Sequence, residues 1–408
     1  MKNFNVPDFY KSPIISKVKE IRKINDPRKK DFSPTLLDFG PVRFYISRHF
    51  GFCYGVENAI EISYKALEEN PDKQIYLLSQ MIHNPDVNND LLARGVKFLM
   101  DTAGNQIIPF DTLKPNEIVI IPAFGTTLKI ESELNKIGIE VHKYNTTCPF
   151  VERVWKKSEK LGEESYSIII HGKYNHEETR ATFSRSEKAA PSIIVKNIQE
   201  TKVIGEYILG NISTTEFNTV FKGKYSDNFN PEIHLERVGV INQTTMLATE
   251  TQEIADYFKQ IMIKKYGTHE LVNHFSDTRD TLCYATNENQ EATYGLLQKN
   301  ADIAIVVGGY NSSNTSHIVE LCEHQLPTFF ISSATEIISK NKINHFDYSN
   351  QKHLISNDYL PVKNVTDIIL TSGASCPDSI VDEVLQKILS FFPEAKKMEE
   401  VLKELKAN

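Results

Sequence analysis

Apolar residues recur along the chain with two alternating periods. Short β-rich runs fall at 43–46, 74–78, 117–121, 165–170, 238–241, 303–307, 328–331 and 368–370. Several are continuously apolar (IVII at 118–121, IAIVV at 303–307) rather than alternating, as expected of strands whose two faces are both covered by helices. Helical periods follow most of them. Val56, Ile60, Ser63 and Leu67 form one stripe, and Leu91 and Leu92 run up to Gly95, a helix stop. Pro149 stands where a first helical position belongs, opening FVERVWKKSEKL. Strand–helix alternation of this kind predicts an α/β class built on parallel sheets.

Composition narrows the function classes. The chain has 408 residues, 40% of them hydrophobic and 24% charged, which is apolar mass for two or three cores. A net charge of −7 argues against sequence-independent nucleic-acid binding, which needs clustered cations. No apolar run reaches the roughly 20 residues that span a bilayer, so no membrane partner is expected. Five cysteines, an odd number in a large chain, do not suit a secreted disulfide framework, and a cytoplasmic location is expected. The stretch 17–30 is basic, but Glu20, Asp26 and Pro27 interrupt it. That is not transit-peptide composition, so a plastid location is not expected and residues 1–42 read as an N-terminal extension on the surface.

Three cysteines share one setting. Cys53 (GFCYGVENAIEI), Cys148 (TTCPFVERVW) and Cys283 (TLCYATNENQEA) each stand between an extended segment and a helix start. A helix N-terminus carries partial positive charge and favours the thiolate, the form that binds metal. Separations of 95 and 135 residues exclude a single zinc knuckle or a ferredoxin-type ligand run. Three α/β units each supplying one thiolate to a shared centre fit instead. A [4Fe–4S] cluster with one iron free of protein ligands, and zinc with a water as fourth ligand, both satisfy that donor set. Cys322, in IVELCEH, reads as core.

Polar loops follow the later strands. GGYNSSNTSH carries Ser312, Ser313 and Asn314; TSGASCPDS carries Ser372, Gly373 and Ser375; INQTTM carries Gln243, Thr244 and Thr245. Uncharged donors at a strand-to-helix turn suit a phosphate, although Ser, Thr or Asn before a helix is more often only a cap. His83 (MIHNPDVNN) and His176 (HGKYNHEETRAT) add imidazole donors, and Glu177 and Glu178 follow His176. One of this carboxylate pair fits a proton donor near bound anions; both also fit the start of a helix.

Taken in order, GFCYGV, MIHNPDVN, IPAFGTT, TTCPFVERVW, IIHGKYNHEET, NQTTM, LCYATNENQEA, VVGGYNSSNTSH and TSGASCPD resemble the LytB (IspH) family of 4-hydroxy-3-methylbut-2-enyl diphosphate reductases of the non-mevalonate isoprenoid pathway. HGKYNHEET and the chain length are similar to the plant and cyanobacterial branch. The resemblance implies reductive dehydroxylation of (E)-4-hydroxy-3-methylbut-2-enyl diphosphate to isopentenyl and dimethylallyl diphosphate. It implies a [4Fe–4S] cluster on Cys53, Cys148 and Cys283, diphosphate contacts from His83, His176, Thr244, Ser312, Ser313, Asn314 and Ser375, and catalytic roles for Glu178 and Thr244. Ferredoxin or flavodoxin is the electron donor it implies, with a monomer or homodimer. Phe124 departs from a branch that carries His there, and Cys376 is given no ligand role.

The fold expected is three similar small parallel-sheet α/β units around a central iron–sulfur cluster. Residues 1–42 are then an extension, 43–148 the first unit, 149–282 the second, 283–372 the third, and 373–408 a segment returning to the core. Residues 209–236 read as an insertion relative to short members, forming a surface loop.

Overall fold

The structure is a computed structural model that describes residues 4–276 and 281–407. The chain separates into two compact units. One gathers Met1–Glu57, His83–Asn89 and Tyr284–Asn408; the other holds Asn58–Ile82 and Asp90–Cys283.

The first unit is organised on a five-stranded sheet in the order Thr35–Asp38, Val42–Ile46, Thr366–Ser372, Ile303–Val307, Thr328–Ile331. The first pair is antiparallel and the others are parallel, with Phe44 opposite Ile368 and Ile305 opposite both Leu370 and Phe329. Every residue of Ile303–Val307 and Thr366–Ser372 is buried. The unbroken apolar runs in the sequence are therefore central strands covered on both faces. A separate antiparallel sheet of Ile337–Ser339, Lys342–Asp347 and Lys352–Asn357 completes this unit.

The second unit carries two parallel sheets. One runs Lys97–Phe98, Ile75–Leu77, Ile118–Ile120; the other runs Ser192–Val195, Ser167–His171, Val238–Asn242, Phe275–Ser276. The α/β class and its predominantly parallel pairing are as expected, with one antiparallel strand added at the edge of the first unit's sheet. The helix Pro149–Glu163 begins at the proline, with Cys148 in extended conformation at its N-cap.

The expected segment boundaries differ from the observed ones. The strand Val42–Ile46, assigned to a first unit over 43–148, pairs instead with Thr366–Ser372 from the end of the chain. Hydrogen bonding along the whole strand outweighs closeness in sequence. The N-terminal extension also departs from a surface reading. Ser12 caps the helix Pro13–Asn25, its hydroxyl accepting from the Ile14 and Ile15 amides at 3.1 and 3.0 Å. Ile15, Val18 and Ile21 are buried, and Ile15 and Val18 pack into the same core as Phe44, Ile305 and Leu370. Burying such side chains contributes about 1.5–3 kcal/mol each, while the lysines of the opposite face stay in water.

The segment 209–236 is likewise not a surface loop. It forms the helices Thr214–Phe221 and Pro231–His234, the first closed by a capping box between Ser213 and Glu216. Phe217, Phe221, Phe229 and Leu235 are buried against Ile193, Val195 and Val238. Phe217→Ala should therefore destabilise the protein by about 3–5 kcal/mol, read as a lower denaturant midpoint. A loss under about 0.5 kcal/mol, the usual surface value, would contradict this packing.

Candidate functional site

The polar loops of the first unit converge on one point. Ser312 caps the helix Ser313–Glu323, its hydroxyl accepting from the Thr315 amide at 3.3 Å and the Thr315 hydroxyl at 2.9 Å. Ser375 lies 3.4 Å from the Ser312 hydroxyl and donates to the His83 carbonyl at 3.2 Å. The same carbonyl presses on Gly309, where a Cβ would collide with it, so the glycine is required by close approach. Asn314 is a clamp: its Oδ1 accepts from the Ala374 amide at 2.9 Å and from Asn289 Nδ2 at 3.0 Å. His83, Ser312, Ser313, Asn314 and Ser375 are all buried. Ser313 Oγ finds no hydrogen-bond partner among the described residues, an arrangement that suits an oxygen-rich ligand. The backbone of Cys53 joins this cluster through its amide, which donates to the Ala374 carbonyl at 3.2 Å.

The second unit holds the carboxylate pair, and there the two residues separate. Both open the helix Glu177–Ala189. Adjacent helix residues point about 100° apart, so they meet different partners. Glu177 bonds the Ser79 hydroxyl. Glu178 turns to the loop after Val238–Asn242, where Oε1 accepts from the Thr244 amide at 2.5 Å and Oε2 from the Thr244 hydroxyl at 2.9 Å. Burial pushes Glu178 up to about 7, against the downward pull of the two Thr244 bonds. Glu177 is also pushed up to about 7 by burial, with the Ser79 bond and Arg180 opposing.

Thr244 is held from a second side, its carbonyl accepting from the Cys283 amide at 3.1 Å. Thr244 thus stands between the thiol-bearing residue and the buried acid. His176 caps the glutamate helix, its Nδ1 accepting from the Glu178 amide at 3.2 Å, which places the ring proton on Nε2 as a donor. Phe124 packs edge-on against that ring with centroids 5.6 Å apart. The aromatic residue found where another branch carries His therefore orients an imidazole.

Cys53, Cys148 and Cys283 are each partly exposed, whereas Cys322 and Cys376 are buried. The thiol of Cys53 receives the Gly55 and Val56 amides at the start of the helix Tyr54–Glu69, as a helix N-terminus should provide. The expected lowering of its pKa does not result. Loss of water around the sulfur outweighs those amides, Glu57 adds repulsion, and the thiol is pushed up. A bound cation would reverse that balance, since a coordinating thiol is deprotonated outright. Among the described residues no group of three or more His, Cys, Asp or Glu stands arranged to hold a metal ion. By donor chemistry, cysteines at helix starts on partly exposed residues fit an iron–sulfur ligand set better than the two enclosed cysteines do. Cys322 is raised to about 12 by burial, consistent with a core role.

Asn289 is the residue whose contribution the sequence reading missed. It lies inside LCYATNENQEA, but only its bond to Asn314 shows that it fixes the serine loop.

The LytB protein family model matches residues 44–389. The 4-hydroxy-3-methylbut-2-enyl diphosphate reductase of Thermosynechococcus vestitus is 40% identical over 352 residues, covering 86% of this chain and 85% of that protein. The protein of the same name from Trichodesmium erythraeum is 37% identical over 382 residues, covering 93% and 90%. A solved structure of (E)-4-hydroxy-3-methyl-but-2-enyl diphosphate reductase, the terminal enzyme of the non-mevalonate pathway, superposes with a TM-score of 0.52 at 25% identity, covering 85% of this chain and 99% of that one. By that match and these identities, the chain belongs to the LytB family.

Proposed function

We propose that this chain reduces (E)-4-hydroxy-3-methylbut-2-enyl diphosphate to isopentenyl and dimethylallyl diphosphate. Each turnover takes two electrons and two protons; the allylic C–O bond breaks, a C–H bond forms, and the oxygen leaves as water. The observation that carries the reading is the buried acid Glu178, pushed up to about 7 and bonded through Thr244 to the Cys283 backbone.

Cys53, Cys148 and Cys283 would hold a [4Fe–4S] cluster, which supplies electrons one at a time and an iron open to the substrate oxygen. His83, Ser312, Ser313, Asn314 and Ser375 hold the diphosphate, so that binding energy far from the reacting carbon sets its position. Ser313 donates its unshared hydroxyl, while the Asn314 clamp keeps the loop in shape. The Nε2–H of His176 is a further donor to phosphate oxygen. Glu178 carries the proton. In its acid form Oε2–H donates to Thr244 Oγ1, which frees the Thr244 O–H to pass a proton toward the leaving oxygen. The electron donor is a one-electron carrier of ferredoxin or flavodoxin type. We place the chain in the cytoplasm on the family reading; no helix among the described residues is long and apolar enough to cross a membrane.

The test is an anaerobic assay of iron–sulfide-reconstituted protein with the hydroxylated diphosphate and a chemical one-electron reductant. Two reducing equivalents consumed per product are expected. Product without reductant consumption, or protein that retains zinc and no inorganic sulfide, would overturn the reading. Ser313→Ala should raise KM about ten-fold or more with kcat little changed, because one hydrogen bond to a charged group contributes about 1.5–3 kcal/mol. An unchanged KM would remove Ser313 from the diphosphate site.

A further inference from the structure

The loop that carries Cys53 is touched, nearly residue by residue, by a segment lying before the family match, which begins at 44. Arg48 Nη2 donates to the Asp26 carbonyl at 3.1 Å. The His49 ring packs on Phe32, with centroids 5.5 Å apart. Lys19 Nζ donates to the Phe50 carbonyl at 3.2 Å and lies 4.4 Å from the centre of the Phe50 ring. Tyr10 meets Phe52 edge-on at 5.7 Å, and Phe4 meets Tyr54 edge-on at 4.8 Å. The two neighbours of Cys53 in sequence, Phe52 and Tyr54, are thus both held by aromatic residues of the N-terminal segment.

The attachment continues beyond the loop. Lys19 also pairs with Asp378, at 2.6 and 2.8 Å, where the helix Asp378–Leu389 begins. Gly51 lies beside that pair with φ +81°, and a Cβ there would strike both Asp378 and Lys19. The left-handed backbone there favours glycine, and a side chain would push against the ion pair. From its other side, the Cys53 amide is tied to the Ala374 carbonyl. Residues 47–51 of this loop are buried, and without the segment that covers them the loop would have few reasons to keep one conformation. Here an independent segment supplies an ion pair, two hydrogen bonds through carbonyls and three ring–ring contacts.

We infer that residues 4–32 are a positioning brace that fixes the Cys53 thiol for its metal partner. The inference rests on the reading of Cys53 as a cluster ligand, and it makes Phe4, Tyr10 and Lys19 positioning residues rather than catalytic ones. Groups that orient a ligand from behind typically change metal affinity about 10–100-fold when removed.

The test uses the full chain carrying Lys19→Met or Phe4→Ala, with Lys17→Met, exposed on the same helix, as control. In protein prepared without iron, alkylation by N-ethylmaleimide is followed at Cys53 and Cys148 separately by peptide mass spectrometry. Cys53 should react several-fold faster in both variants, with Cys148 unchanged, the far-UV circular dichroism unchanged and the control like the parent. Lys19→Arg should recover most of the protection. In reconstituted protein the same two variants should release iron to a chelator correspondingly faster. Phe4→Ala removes a ring from a partly exposed position, so it reports even where Lys19→Met folds poorly. Folded variants with parental Cys53 alkylation would overturn the brace. If the parent holds no iron and sulfide while the variants still expose Cys53, the brace stands and the ligand reading fails.

Discussion

Glu178→Gln is expected to fold, hold its cluster and bind substrate, yet turn over about 10²–10⁴-fold more slowly, the usual contribution of a general acid. Glutamine matches the shape of the carboxyl. Its Oε1 accepts the Thr244 amide as the carboxylate does, and its Nε2 donates to the Thr244 hydroxyl, so the local network survives. What it cannot do is give up a proton. Reductant consumption under anaerobic conditions, with substrate affinity measured separately, distinguishes this from damage to binding. The parent enzyme adds a pH signature. A carboxyl pushed up to about 7 by burial is mostly acid below that pH and mostly carboxylate above it. Turnover should fall as pH rises through about 7, while the residual rate of the glutamine variant should not follow that curve. Glu177 is shifted as far but faces Ser79, so Glu177→Gln should keep most activity. If Glu178→Gln works near the parental rate, Glu178 is not the acid.

Cys53→Ser carries the other large effect: protein purified and reconstituted without oxygen should hold little iron and sulfide. A serine hydroxyl does not ionise near neutral pH and is a harder ligand than thiolate. Iron and acid-labile sulfide per chain measure the loss directly, together with the visible absorbance. Cys322→Ala is the matching control, because that thiol is buried among Leu296, Val306 and Ile318 and should be irrelevant to cluster content. Full cluster content in Cys53→Ser would exclude that thiol as a ligand.

What the sequence showed and hid follows from how each element earns its stability. Ile303–Val307 and Val238–Asn242 were readable because central strands need apolar residues on both faces. The antiparallel sheet was not. KINHFD and KHLISN are polar, half-exposed strands held largely by their ladder, which leaves no hydrophobic period to read. The buried faces of Pro13–Asn25 and Thr214–Phe221 were legible in principle, as Ile15, Val18 and Ile21 and as Phe217 and Phe221 at helical spacing. The surrounding lysines and the position outside familiar motifs drew attention to charge instead. At the site, motif order pointed to the residues, but only helix geometry separates Glu178 from Glu177, and only three-dimensional contacts join Asn289 to Asn314.

The capped helix at Thr214–Phe221 bears on any effort to pare the chain down to the length of short relatives. Cutting out 209–236 would strip a roof of phenylalanines from Ile193, Val195 and Val238. The hydrophobic floor so uncovered would seek other chains, and a trimmed protein would precipitate before its chemistry was ever assayed.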